Sequence, residues 1–177
     1  PGSATYTGTN LARGTFGNGS TAGLPIDTGV ILSSGRISHA KGPNDDSGII
    51  ARTALSDDLG RPGDPDLSHI VNDNVTTDAS VLEFDVTSPV ESIAFEYLFA
   101  SEEYSEYLGG VAGFNDPCAI FVDGVNIALV PFTSEPVSVN HVNGGGVNLR
   151  TQIYVPPSHI EYYRGNPSEA PVLNIQY

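Results

Sequence analysis

The chain has one cysteine, Cys118, and neither methionine nor tryptophan. A lone thiol cannot close an intramolecular disulfide, so a disulfide framework and a multi-cysteine zinc site are both excluded. Lys and Arg are scarce, seven against 21 Asp and Glu, for a formal charge of −14. That field repels nucleic acid and anionic lipid, so neither is expected as a partner. No apolar run approaches the roughly 20 residues of a membrane helix, so direct membrane insertion is not expected. The histidines His39, His69, His141 and His159 are scattered without HxxxH spacing, which gives a transition-metal site little support. There is no Gly-x-Ser-x-Gly elbow, no phosphate loop, and no Ser or Cys partner motif beside a histidine. No enzyme is expected. No basic, apolar leader opens the sequence, although a trimmed chain would have lost one.

What the chain does have is punctuation. Twenty glycines and 13 prolines interrupt short β-branched and aromatic stretches over 177 residues. This is the pattern of an all-β chain with little helix, expected as a β-sandwich, jelly-roll-like, in a single domain over residues 1–177. The expected strands are Val81 to Val86, Ile93 to Ala100, Ala119 to Val122, Ile127 to Val130, Val137 to Val139, Leu149 to Val155 and Val172 to Tyr177. In Leu82-Glu83-Phe84-Asp85-Val86 the apolar residues share one face, and Ile93, Phe95, Tyr97 and Phe99 repeat the alternation. Gly29 to Ser33 reads as a short buried strand, and Cys118 as a buried small hydrophobe. From Gly42 to Asn74 the chain is polar and aperiodic, a long acidic loop. One short helix is expected at Asp64-Pro65, with Asp64 as N-cap and Pro65 at the first helical position. Asn18-Gly19-Ser20 and Asn74-Val75-Thr76 match the N-glycosylation triplet, a frequent chance pattern.

The acidic residues suggest calcium, which takes 6 to 8 oxygen ligands. Glu102, Glu103 and Glu106 follow a strand-like run at a place where loops gather, and Asn115 and Asp116 come about a dozen residues later. If the Gly109 to Gly113 loop folds back, Glu102 or Glu103 meets Asn115 and Asp116, with Asp57, Asp58, Asp64 and Asp66 available to complete the shell. The plainer reading is that a Glu accepts backbone N–H bonds while Asp116 caps the turn before Pro117. Asn44-Asp45-Asp46 is a weaker candidate without EF-hand spacing. Paired carboxylates such as Glu102 and Asp116 would also suit a glycosidase, whose separation of roughly 5 to 9 Å a sequence does not supply. Tyr104, Tyr107, Phe114, Tyr162 and Tyr163 would suit sugar stacking in a lectin-like module, or simply pack a core edge.

Phe99-Ala100-Ser101-Glu102-Glu103-Tyr104-Ser105-Glu106-Tyr107, followed by Phe114-Asn115-Asp116 and Val122-Asp123-Gly124, resembles the choice-of-anchor L domain of secreted and surface-anchored prokaryotic proteins. Gly29-Val30-Ile31-Leu32-Ser33-Ser34-Gly35, Gly42-Pro43-Asn44, Gly63-Asp64-Pro65-Asp66-Leu67, Asp78 to Asp85 and Val137 to Asn143 follow the same order. The resemblance implies an extracellular or cell-surface β-rich module without catalytic activity. The family usually starts with a helical segment and continues beyond the strand ending here at Tyr177, so the sheet is expected to be truncated or completed by a partner. An unfinished edge invites strand addition. Self-association into a filament or array, or contact with other surface proteins, is therefore expected, with glycan binding as the alternative.

Overall fold

Short β-branched runs between glycine, asparagine and proline turns set the order of elements. The computed structural model describes residues 3–41, 57–72, 75–104, 107–109, 114–165 and 174–176. Strand outweighs helix, consistent with the all-β class, and the sheets among the described residues are small and unclosed. The chain divides into two compact units, Pro1–Pro62 with Thr77–Leu98 and Pro167–Tyr177, and Gly63–Thr76 with Phe99–Asn166.

The first unit holds β1 (Ala4–Thr7), β2 (Arg13–Gly17), β3 (Gly29–Leu32) and β4 (Val81–Phe84), with a last strand at Asn174–Gln176. β1 pairs antiparallel with β4, placing Tyr6 opposite Leu82. β2 is central in a second sheet, flanked by the last strand and by β3, with Arg13 opposite Leu32 and Thr15 opposite Val30. Because side chains alternate across a strand, Arg13, Thr15, Val30 and Leu32 share one face. That face is open: Val30 is 58% and Leu32 40% exposed, so β3 is not the buried strand its sequence suggests. A 3₁₀ turn at Asn10–Ala12 carries the chain from β1 to β2. The Tyr6 hydroxyl donates to the Thr9 carbonyl at 2.9 Å and lies 3.0 Å from the Ser80 hydroxyl, which donates to the Ala12 carbonyl at 3.1 Å. Buried Asp78 accepts from the backbone N–H of Leu59 at 2.9 Å and of Arg61 at 2.7 Å.

The second unit holds α1 (Pro65–Ile70), β5 (Pro117–Cys118), β6 (Phe121–Val122), β7 (Val125–Asn126), β8 (Val137–Ser138), β9 (Gly146–Val147) and β10 (Tyr154–Val155). α1 begins as its sequence predicts, Asp64 Oδ1 accepting from the N–H of Asp66 and Leu67 with Pro65 in the first turn. β5 pairs with β8, β6 with β7 and β9 with β10, each antiparallel and each strand only 2 residues long. The β6–β7 hairpin turns on Asp123 at φ 49° and Gly124 at φ 80°, the left-handed pair that a two-residue hairpin needs. Around these strands lies the better packed core: Val71, Leu108, Ala128, Val130, Val137 and Val139 are buried. Burying one such side chain contributes about 1.5–3 kcal/mol.

Several expected strands are shortened for a common reason. Asn126 Oδ1 accepts from the N–H of Ile120 and Ala128, curling the chain where Ala119 to Val122 and Ile127 to Val130 would run straight. Asn148 Oδ1 accepts from the N–H of Arg150 and Thr151, and Gln152 sits at φ 58°, so only Tyr154–Val155 remains of the Leu149 to Val155 strand. Ile93 to Ala100 joins no sheet at all among the described residues. Its alternation is that of a strand, but a ladder also needs a neighbour. Asn44, Asp45, Asp46, Asn74, Glu106, Val172, Leu173 and Tyr177 lie outside the described residues.

Candidate functional site

The predicted ligands gather only in part. Glu102, Glu103 and Tyr104 form a turn, in which Ser101 Oγ accepts from the Glu103 N–H at 3.1 Å and the Glu103 carbonyl from the Tyr107 N–H at 3.0 Å. Tyr104 meets Tyr163 edge to face with ring centroids 5.1 Å apart. Burial, then the neighbouring Tyr163 and the charge of Asp116, push the Tyr104 phenol well above its ordinary range. The Tyr104 phenol is thus within electrostatic reach of Asp116. Asn115 serves the backbone instead: its Oδ1 accepts from the Asn140 N–H at 2.8 Å, and Asn140 Oδ1 accepts from the Gly109 N–H at 2.8 Å.

Asp116 is the unusual member. Burial raises its carboxyl above the ordinary aspartate value. Among the described residues no hydrogen bond or ion pair reaches its carboxylate, so it does not cap the turn before Pro117. Asp64 and Asp66 are elsewhere employed, Asp64 in capping α1 and Asp66 exposed in its first turn. Among the described residues no three His, Cys, Asp or Glu side chains come together as a metal-holding group.

The aromatic residues pair with one another. Tyr107 stacks on Phe114 with centroids 5.0 Å apart, and the Arg150 guanidinium lies 5.1 Å from the Phe114 centroid. A Cβ at Gly144 would stand 2.5 Å from the Tyr163 ring, so only glycine lets that ring lie where it does. Ser138 and His141 look at first like a nucleophile and its base, Oγ and Nδ1 being 3.1 Å apart. Ser138 is fully buried, however, and His141 Nδ1 lies 2.8 Å from the Pro136 carbonyl, which must receive a proton from it. A nitrogen that donates there cannot take the serine proton.

Two features escaped the sequence reading. The first is the set of asparagines that fix backbone: buried Asn143 donates to the carbonyls of Val139 and Asn140 and accepts from the Gly145 N–H, and buried Asn148 donates to the Leu108 carbonyl at 2.8 Å. Asn143-Gly144-Gly145 reads as an ordinary turn, which hides the role. The second lies in the first unit, where a cleft of about 580 Å³ opens between the Tyr6–Leu82 face of one sheet and the Arg13, Thr15, Val30 and Leu32 face of the other. Arg13 sits over the Tyr6 ring at 4.4 Å and donates to Asn10 Oδ1 at 2.8 Å, so its charge is held at this opening.

An all-β chain with these turns, an Asp-Gly hairpin and a capped helix at Asp64 agrees with the resemblance its motifs carry. The sequence model of the choice-of-anchor L domain matches residues 2–176, nearly the whole chain. The chain belongs to that family. Choice-of-anchor L domains are modules of surface-anchored proteins, not an enzyme family, which fixes the broad class and a surface or extracellular location. No curated protein and no solved structure matches the chain. Among the described residues no helix is long and apolar enough to cross a membrane.

Proposed function

We propose that this choice-of-anchor L domain is a structural or adhesive module that assembles with copies of itself by strand complementation, completing as a sandwich the sheets that each copy leaves open. One observation carries the reading. From Asp85 to Glu96 the chain makes no hydrogen bond among the described residues beyond the local Ser88–Val90 turn. Val86, Val90, Ile93 and Phe95 along it are 51%, 64%, 48% and 44% exposed. A β-patterned segment with open backbone is a template for pairing with another chain. Burying its side chains would contribute about 1–2 kcal/mol each, enough to drive association once a ladder aligns them.

Light scattering across a concentration series tests this. A mass that rises with concentration, and that returns to the monomer in an Ile93→Glu, Phe95→Glu variant, is the expected result. A wild-type chain that stays monomeric at hundreds of micromolar would sink it.

Asp116 supports a second reading, calcium held between the Glu102–Tyr104 turn and Asp116. A half-buried carboxylate without a donor gains most from a cation, since oxygen-rich, partly dehydrated sites suit Ca²⁺. Thermal unfolding in EDTA and in millimolar calcium reads it out: a ligand at 100 times its dissociation constant adds about 2.7 kcal/mol. The gain should vanish in Asp116→Asn, and identical melting with and without calcium would dispose of the site. The lectin-like alternative draws less support, because Tyr104, Tyr107, Phe114 and Tyr163 already spend ring area on one another.

A further inference from the structure

We infer that the acceptor for the open strand is the cleft between the β1–β4 and β2–β3 faces, and that its occupant is the Val86 to Glu96 segment of a second copy. This rests on the self-assembly reading above and adds the site and its partner. Three observations meet here. First, the cleft is lined by Tyr6, Leu82, Val30 and Leu32, apolar walls on paired strands, and its volume of about 580 Å³ is within the range of peptide and ligand clefts. Val30 and Leu32 are 58% and 40% exposed, on a face that in a finished β-sandwich would meet a second layer.

Second, β3 is an edge strand: β2 ladders one side of it, and nothing ladders the other among the described residues. A strand laid along that edge finds backbone partners and places every other side chain toward the Val30 and Leu32 face. Ile93 and Phe95 have that period, and Ala94 and Glu96 fall on the opposite side.

Third, the charges match. In a chain of net charge −14, Arg13 is one of only seven basic residues. It is held at the cleft by Asn10 and by the Tyr6 ring. Glu91, two residues before Ile93, falls on the same side of the donor segment as Ile93 and Phe95, and the segment has no basic residue. The copy's own segment does not fill its own cleft: Phe95, Glu96 and Tyr97 line a separate hollow with Pro25 and Ile26. The cleft is therefore left to the segment of another copy in this proposal, and because donor and acceptor are different surfaces, the contact is head to tail and can repeat.

The test uses a fluorescent synthetic peptide of residues 86–96 titrated into the whole chain, with fluorescence anisotropy as readout, beside light scattering of the unlabelled protein. Saturable binding is expected. A Val30→Glu, Leu32→Glu variant should weaken it by about tenfold or more, as loss of one or two buried apolar contacts implies. Arg13→Ala should weaken it less and flatten its salt dependence. Reversing the peptide's own charge at Glu91, Glu91→Lys, tests the same contact without any risk to the protein's folding and should likewise lower affinity, whereas Glu96→Lys, on the opposite side, should lower it less. If the chain associates but peptide affinity ignores both the cleft variants and the charge reversal, the acceptor is elsewhere while self-assembly stands. If the chain stays monomeric and the peptide does not bind, both readings fall.

Discussion

The two units solve the same problem in opposite ways. The first keeps its ladders and leaves its faces open: β2, β3 and β4 run 4 or 5 residues, yet Val30, Leu32 and Phe84 remain substantially exposed. The second keeps its core and shortens its ladders: strands of 2 residues surround fully buried Leu108, Ala128 and Val139. What ladders do in one, asparagine side chains do in the other. A backbone N–H or carbonyl removed from water needs a partner, and a fixed side-chain amide serves as well as a second strand. The lesson is that strand length does not measure how well a β region is folded. The second unit holds most of the buried apolar residues, although Phe132, Ile153 and Tyr154 on its surface are as open as Val30 in the first.

Substitutions can break this contrast. The largest effect is expected for Leu108→Ala, which empties a fully buried site; unfolding in urea should show a loss of about 3 kcal/mol. Asn148→Ala should follow, with a loss of about 2 kcal/mol, because it strands the Leu108 carbonyl and the N–H groups of Arg150 and Thr151 together. If it costs less than half a kcal/mol, side-chain bracing is not what closes the second unit.

Asp116→Asn should act in the opposite direction. Its carboxyl is raised by burial, so the folded chain holds the proton more tightly than the unfolded one. Stability from this group is therefore fully present below the ordinary aspartate value of about 3.9 and is lost as pH rises through the folded-state value. At neutral pH and without calcium, Asp116→Asn should melt higher than wild type, and its melting temperature should fall less as pH rises from acid. Smallest of all should be the folding effect of Ile93→Glu, within about 0.5 kcal/mol, because an exposed segment without a ladder has little to lose. A large loss in a monomer would mean that this segment of the first unit is tightly packed within its own chain, and the contrast between the units would collapse.

Much of the backbone was legible. β4, β8 and α1 with its Asp64 cap are where alternation and capping chemistry put them. β1 and β2 were not, since Ala4-Thr5-Tyr6-Thr7 and Arg13-Gly14-Thr15-Phe16-Gly17 are too short, polar or glycine-laced to stand out from turns. Ile93 to Ala100 misled for a different reason. Propensity and period are local, whereas pairing depends on a second strand, and local pattern does not contain one. The acidic residues were half legible: the sequence places Glu102 and Asp116 near turns, but whether such a carboxylate meets an N–H, a cation or neither is decided by folding around it. Asp64 found two N–H groups, and Asp116 found none among the described residues. The asparagine network was illegible because each member also reads as a plain turn residue.

Cys118 gives the second unit an intrinsic clock. It is the chain's only thiol, sits in β5 against β8, and is pushed by burial toward the protonated, unreactive form. Alkylating reagents attack the thiolate, so the folded molecule should be modified chiefly during the moments when this region opens. Because Cys118 is only part-buried, the modification rate divided by that of the same cysteine in the unfolded chain is then an upper bound on the fraction of time the second unit spends open. No label need be engineered, and the first unit, which has no sulfur, stays silent throughout.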